Sequence, residues 1–299
     1  MRSSGFGAVR AAGRTWPKRQ GNALTDSQDR SRNGRASGPA TAVRSRRVRW
    51  LRWPTRAVAL VAVLLLGPLA AFALGEVELE THWSTASRAS TGQAPDPARQ
   101  TGAVIQVYSA RAFHWRGAFG VHTWIAAKRS GAATYTVYQV IGWRLYGGGA
   151  AVSISEGATP DARWYGAVPS LLAQRQGSGV DALIDRLEAA VAAYPYADRY
   201  RVWPGPNSNT FIAFLARALP ELRVDLPPTA IGKDYLAPGT WIDRLPSGTG
   251  WQVSAGGLLG ASLGREEGLE LNVLGLSVGL DFNDLALRLP GLGRVGAGH

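Results

Sequence analysis

A turn-forming stretch leads into the most apolar helix of the chain, Trp203-Pro-Gly-Pro-Asn207-Ser208-Asn209-Thr210-Phe211. Asn and Ser are favoured at helix N-termini, so we predict that a helix starts near Ser208 and ends before Pro220. Apolar residues cover most of the circumference of residues 208–219, which is typical of a buried helix. The domain core is therefore expected to form around this helix.

The preceding residues predict strands followed by helices. Alternating β-branched and aromatic residues indicate strands at 104–110, 119–127 and 134–143, with Ser130-Gly131 as a hairpin turn. Residues 168–174 are predicted to form one or two helical turns, and 181–193 an amphipathic helix that Pro195 ends. This order predicts an α+β domain over residues 103–240, with an antiparallel sheet that precedes its helices.

The C-terminal residues change in character. From Trp251 to His299, short apolar segments alternate with glycines. This pattern predicts short strands and tight turns, a Gly-rich β extension over residues 241–299 whose hairpins would join the first sheet.

Residues 57–75 are apolar and carry no charge. At about 1.5 Å per residue they would span roughly 28 Å, close to the thickness of a bilayer core. Arginines precede the stretch and glutamates follow it, so the positive-inside rule predicts a single-pass inner-membrane protein. Its N-terminus would be cytoplasmic and its main domain periplasmic or otherwise extracytoplasmic. Two other interpretations stay open: a cleaved secretory signal, since Gly67-Pro68 precedes Ala71-Phe72-Ala73, or a buried core helix.

The formal net charge of +12 is confined to the start of the chain. Residues 1–56 contain 14 basic and 2 acidic residues, whereas residues 57–299 contain 19 of each. We predict a basic, disordered cytoplasmic segment at 1–56 and a polar linker at 76–102. A neutral domain lacks the electrostatic footprint that nucleic acid requires, so no nucleic-acid partner is predicted.

Composition also limits the chemistry. The chain has no cysteine and four histidines, which excludes disulfides and thiolate sites and disfavours a multi-histidine metal centre. Neither a metal nor an organic cofactor is predicted.

Two positions could act together. His122 opens a predicted strand, and Ser208 opens the buried helix, where unpaired N–H groups favour developing negative charge. The histidine could accept the serine proton, and Tyr138 or Gln139 on the following strand could orient its ring.

This arrangement resembles known families. The stretch at 203–211, after a strand with His-Thr-Trp, is similar to a bacterial membrane-associated domain family of unknown function, over roughly residues 100–240. The order of parts also resembles the circularly permuted papain-like fold of the lecithin–retinol acyltransferase type, in which a strand histidine precedes a helix-opening Asn-Cys-x-x-Phe. Asn207 and Phe211 match that pattern, with Ser208 in the place of the nucleophile and His122 in that of the base. The resemblance implies thiol acyl transfer. Ser208 departs from this pattern, in which the nucleophile is a cysteine. The departure matters because a serine hydroxyl is essentially never ionised at neutral pH.

Three functions therefore remain, and the third of them is a structural role in the envelope. The first is a membrane-anchored envelope protein, held in the bilayer by residues 57–75, that binds a peptide, glycan or lipid group of the envelope or cell wall without catalysis. The second is an amide or ester hydrolase or acyltransferase with Ser208, His122 and Asn207 as site residues. Without catalysis, Asn207 or Ser208 would only cap the helix. His114 is a weaker candidate, and five tryptophans could line a groove or belong to the core: Trp115, Trp124, Trp143, Trp164 and Trp203.

Overall fold

The computed structural model describes residues 44–296, with side chains from Trp53 onward. Residues 1–43 of the segment predicted to be disordered, 1–56, lie outside the described residues. The elements described below belong to the compact unit Leu51–His299, apart from the first turns of the N-terminal helix.

The first sheet has five antiparallel strands in the order β4-β3-β2-β1-β5. They are β1 (Val104–Arg111), β2 (Val121–Lys128), β3 (Thr136–Val140), β4 (Val152–Glu156) and β5 (Ser170–Gln176). The α+β class and the three predicted strands are confirmed. Strand β4 was not predicted, and the helical turns predicted at 168–174 are wrong. This short apolar run instead completes the edge of the sheet by pairing with β1, because tertiary pairing overrides weak local preference.

Helices α2 (Val180–Ala192) and α3 (Ser208–Ala218) pack against one face of this sheet, close to their predicted bounds. Odd-numbered positions of β1 and β2, such as Ile105 and Ile125, join the core formed with Leu187, Phe211 and Leu215. The opposite face carries Tyr108 and Trp124 and is covered by loop residues. Alternation along each strand thus produces two separate cores, one on each face.

Part of the predicted linker lies on that second face. The buried carboxylate of Asp161 accepts hydrogen bonds from Ser90 Oγ at 2.7 Å and from the backbone N–H of Gln93 at 2.6 Å. These bonds hold the segment around residues 90–94 against the domain.

The C-terminal residues form a sheet of their own. Seven antiparallel strands follow each other as neighbours: β6 (Ile242–Arg244), β7 (Gly250–Ala255), β8 (Leu259–Gly264), β9 (Gly268–Val273), β10 (Leu276–Asp281), β11 (Ala286–Leu289) and β12 (Gly293–Val295). The predicted short strands and tight turns are confirmed, but the prediction that they extend the first sheet is wrong. Each strand pairs with its sequence neighbours across a short turn, so the hydrogen bonds are satisfied locally.

The N-terminal helix α1 runs from Arg44 to Ala73. Its segment Trp53–Ala73 has a mean hydropathy of 2.2, and 17% of its most apolar 18-residue window is buried; the segment is long and apolar enough to cross a membrane. The same test is passed by a signal sequence, so the helix is compatible with membrane anchoring by length and composition.

Candidate functional site

Asn207 caps helix α3. Its Oδ1 accepts hydrogen bonds from the backbone N–H groups of Asn209 at 2.9 Å and Thr210 at 3.1 Å. The Thr210 hydroxyl in turn accepts from the N–H of Asn207 at 3.1 Å, which completes a capping box. Asn207 Nδ2 donates to the carbonyl oxygens of Val202 and Ile231. The Asn207 side chain is thereby fully used in holding the start of the helix.

The next polar side chains fasten the helix to its surroundings. Asn209 Nδ2 donates to the carbonyl oxygens of Val121 at 3.0 Å and Ile231 at 2.8 Å, and its Oδ1 accepts from Thr123 Oγ1 at 3.0 Å. Thr210 Oγ1 donates to the carbonyl of Gly232 at 2.8 Å. These buried bonds join α3 to the start of β2 and to the loop around residue 231.

Ser208 differs from its neighbours. It is the first residue of α3 and is buried, and its backbone carbonyl accepts a hydrogen bond from Thr123 Oγ1 at 3.3 Å. Within the described part of the chain, the Ser208 hydroxyl itself makes no hydrogen bond, whereas the side chains of Asn207, Asn209 and Thr210 are all bonded. A free hydroxyl therefore lies at the positive end of a helix dipole.

His122 lies near the start of β2 and is held by Gln139 on β3. Its Nε2 is 3.0 Å from Gln139 Oε1, and its ring stacks on Trp164 with centroids 3.6 Å apart. Burial lowers the pKa of His122 to about 4, so the ring is neutral at pH 7. With the amide oxygen assigned as the acceptor, Nε2 donates and Nδ1 is unprotonated. The predicted orienting role of Gln139 agrees with this contact, whereas the hydroxyl of Tyr138 donates to Glu188 on α2.

His122 and Ser208 are associated with different faces of the first sheet. Successive side chains of a strand point to opposite faces, and Thr123 contacts the start of α3. The ring of His122 accordingly lies on the other face, with Trp124 and Trp164. In the described chain no hydrogen bond joins the Ser208 hydroxyl to the His122 ring, and general-base catalysis requires an approach of about 3 Å, directly or through one water. The catalytic assignment of Ser208, His122 and Asn207 stays a prediction.

The rings beside His122 form an aromatic patch, defined here as His122, Trp143, Trp164, Tyr165 and Phe113. Trp143 and Trp164 stack with centroids 6.1 Å apart, and Tyr165 meets Trp164 edge-on at 5.1 Å and Phe113 at 5.1 Å. The indole of Trp143 is about half exposed. The structure thus brings together a histidine and two of the five predicted tryptophans at one surface.

The other predicted residues lie elsewhere. Trp124 is a core residue whose indole N–H donates to the carbonyl of Pro160 at 2.7 Å. Trp203 donates to the carbonyl of Leu274 in the second sheet, Trp115 packs edge-on against Phe119, and His114 lies beside Phe113. Tyr165 and Phe113 were missed because both lie in loops, where neither strand nor helix periodicity singles them out.

Among residues 44–296 no cluster of three or more His, Asp or Glu side chains is arranged to hold a metal ion. The acidic face of α2 is occupied by local pairs: Arg129 bridges Asp185 at 2.7 Å and Glu188 at 2.8 Å, and Asp181 accepts from Ser130.

The comparisons with known proteins concern the first sheet and its helices. No curated protein and no solved structure matches the chain. Residues 102–235, which run from the start of β1 to the loop after α3, match the model of a family described as "protein of unknown function (DUF3750)". This match supports the predicted similarity to a domain family of unknown function, and the papain-like relationship stays a prediction.

Proposed function

We propose that this chain is a membrane-anchored envelope protein whose extracytoplasmic domain binds a glycan or peptide group of the cell wall at the aromatic patch, without a Ser208–His122 catalytic pair. The observation that carries this proposal is that the two side chains have different neighbours. His122 is stacked on Trp164 and bonded to Gln139, whereas Ser208 lies at the start of α3, where its carbonyl accepts a hydrogen bond from Thr123.

Membrane anchoring in the inner membrane rests on the helix and its flanks. Most of the segment Trp53–Ala73 is exposed, as suits a helix surrounded by lipid. The charge asymmetry of the sequence, with arginines before the helix and glutamates after it, favours a cytoplasmic N-terminus.

Binding at the aromatic patch rests on its composition. Ligand sites combine apolar and aromatic walls with a few oriented polar groups. Trp143 offers an exposed flat ring, and it stacks on Trp164, whose other neighbour is the buried, neutral ring of His122. Such a surface suits the apolar face of a sugar ring or a peptide side chain.

The test is a fluorescence titration of the full chain in nanodiscs. The probes are a tetramer of N-acetylglucosamine and a disaccharide–tetrapeptide fragment of peptidoglycan. We expect one of them to bind, and Trp143→Ala to raise its Kd about tenfold, equivalent to about 1.4 kcal/mol of lost ring contact. Trp241→Ala removes another exposed indole, outside the patch, and should leave Kd unchanged. Equal binding by the wild type and Trp143→Ala, or no binding of either probe, would contradict the proposal.

The hydrolase alternative keeps one specific observation in its favour, the unbonded Ser208 hydroxyl at the N-terminus of α3. A fluorescent phosphonate that labels serine nucleophiles tests it on the same preparation. We expect no labelling of Ser208. Labelling that disappears in both Ser208→Ala and His122→Ala would show that the two residues meet and would replace the binding proposal with serine catalysis.

A further inference from the structure

The second sheet has its polarity reversed compared with the sheet of a water-soluble domain. In β9, Leu269 and Leu271 point outward and are exposed, whereas Glu270 and Asn272 point inward and are buried. Strand β7 repeats the pattern, with Trp251 and Val253 outward and Gln252 and Ser254 inward. A sheet with one face in water normally buries its apolar side chains and exposes its polar ones.

Three of the four inward polar side chains have partners, whereas the buried Nε2 of Gln252 makes no hydrogen bond in the described part of the chain. Glu270 bonds Lys233 and Arg288, Asn272 donates to Asp234 at 2.7 Å, and Ser254 donates to the carbonyl of Asp234 at 2.6 Å. The polar side is therefore the one that packs against the rest of the domain.

The outward apolar side chains form one continuous surface across the strands. The strand register aligns Trp251, Leu263, Leu269, Leu280, Leu287 and Val295 in a single row that crosses from β7 to β12. All six are exposed in the described chain, and a contiguous apolar surface of this extent marks an interaction site. We call this row and its apolar neighbours the outer face.

Helix α1 contacts one corner of this sheet. A Cβ added at Gly67 would overlap the carbonyl oxygen of Pro290, and one added at Gly291 would overlap the backbone of Pro68, so the helix and the β11–β12 turn touch. Arg111 donates to the carbonyl of Gly291 at 3.0 Å and pairs with Glu76 after the helix. The contact at Gly67 lies six residues before Ala73, or about 9 Å along the helix axis.

We infer that the outer face of the second sheet lies on the lipid surface of the membrane that α1 crosses. This inference rests on the proposed membrane anchor. If α1 spans the bilayer, the β11–β12 turn lies about 9 Å inside the end of the apolar segment, and interfacial elements bury their apolar face about 5–10 Å deep. Apolar side chains continue from this corner, since Leu285 in the β10–β11 turn is 80% exposed and Leu287 is half exposed.

The strands are too short for the second sheet to cross the membrane, so we expect the sheet to lie on the membrane surface. The strands of the second sheet contain three to six residues, whereas a strand needs about 9–11 to cross the hydrocarbon core. At the far side of the row, Arg244 stacks over the ring of Trp251 at 4.5 Å, a pairing suited to the level of lipid headgroups. These features favour a lipid surface, and not a second copy of the chain, as the partner of the outer face.

The absence of native cysteine allows single nitroxide labels at chosen positions of the full chain. The label is placed by Leu263→Cys on the outer face, by Ile154→Cys on β4 of the first sheet and by Leu66→Cys on α1. Leu263 and Ile154 are both 59% exposed, which makes them a matched pair. The variants are reconstituted at one chain per nanodisc of phosphatidylcholine and phosphatidylglycerol, and power saturation compares collisions with oxygen and with a water-soluble nickel chelate.

We expect the labels at 66 and 263 to be protected from nickel and accessible to oxygen, with residue 263 about 5–10 Å below the phosphates, and the label at 154 to be accessible to nickel. A protected label at 66 with an exposed label at 263 would overturn the lipid contact and leave the anchor standing. Exposure of both to nickel would overturn the anchor as well. Protection of residue 263 that appears only with two chains per disc, with spin–spin broadening, would identify a second copy as the occupant and refute the inference.

Discussion

Removal of the Arg288 guanidinium should destabilise the protein far more than removal of an equivalent surface arginine. Arg288 on β11 is almost completely buried and donates to Glu270 at 2.6 Å, to both oxygens of Asp225 at 2.6 and 2.7 Å, and to the carbonyl of Leu226 at 2.9 Å. Arg288→Met keeps much of the side-chain length but deletes these four bonds. Two carboxylates then lose their shared partner in a region of low dielectric.

The size of the effect depends on the partners that each carboxylate retains in Arg288→Met. Removing one partner of a buried ion pair lowers the free energy of unfolding by about 3–5 kcal/mol. Glu270 retains Lys233, and the side chain of Asp225 is 31% exposed, so water recovers part of the loss. We expect a decrease in the free energy of unfolding of about 3 kcal/mol, at the lower end of that range.

Arg129→Met is the matched control. Arg129 also bridges two carboxylates, Asp185 and Glu188, at 2.7 and 2.8 Å, but all three side chains are exposed. Surface pairs of this kind contribute about 1 kcal/mol or less. Similar distances thus predict very different effects, and burial is the variable that separates them.

The effect should also depend on pH. Burial raises the pKa of Asp225 even with Arg288 present, and loss of the guanidinium raises it further. Burial alone would raise the pKa of Glu270 too, but the charges of Lys233 and Arg288 hold it below its ordinary value. In Arg288→Met the folded chain therefore binds protons more readily than the wild type as the pH falls, so the stability difference should shrink between pH 7 and pH 5.

Urea unfolding of the full chain in detergent micelles, followed by tryptophan fluorescence, measures these differences. With a slope of about 3 kcal/mol per molar urea, the midpoint of Arg288→Met should fall by about 1 M at pH 7 and by less at pH 5. A shift no larger than that of Arg129→Met, or one that is the same at both pH values, would refute the reasoning.

Other predictions concern the candidate site. Asn209→Ala should lower the free energy of unfolding by about 3 kcal/mol, since it removes three buried hydrogen bonds, to Val121, Ile231 and Thr123. Ser208→Ala should change the free energy of unfolding by less than about 0.5 kcal/mol. The same urea titrations measure both variants, and equal effects would contradict the hydrogen-bond assignment. The ring carbons of His122, followed by NMR in a ¹³C-histidine sample, should not titrate between pH 5 and 8, because its pKa is lowered to about 4. Since the unfolded chain binds this proton below about pH 6.5 and the folded chain only near pH 4, His122 makes the protein less stable as pH falls through that window, and His122→Gln should reduce this dependence.

Helices α2 and α3 could be predicted from the sequence because each has a strong local signal. Helix α3 begins at a capping asparagine and ends before Pro220, and α2 has one apolar face. Strand β5 carried no such signal, because its residues lie at a sheet edge and are half exposed. Its structure depends on pairing with β1, which is remote in sequence.

The candidate site shows the same limit for the direction of individual side chains. The sequence predicted His122 near the start of a strand and Ser208 at the start of a helix, and both elements are present at these positions. The face to which a strand side chain points depends on register, and a shift of one residue exchanges the faces. Thr123, which contacts α3, and His122, which stacks on Trp164, are neighbouring polar residues in a strand that is buried on both faces. The polarity of these two residues therefore does not show which of them faces the helix.

The stretch at 203–211 therefore has a largely structural explanation. Trp203 connects to the second sheet, Asn207 and Thr210 form the helix cap, and Asn209 ties α3 to β2. Each of these side chains is fixed by bonds that the fold needs, so the specificity of the stretch does not by itself indicate catalysis. Ser208 is the member whose hydroxyl the described fold does not use, since it bonds to no other group there. Any chemistry in this stretch must come from that hydroxyl, and the cap that surrounds it is what would hold it in place.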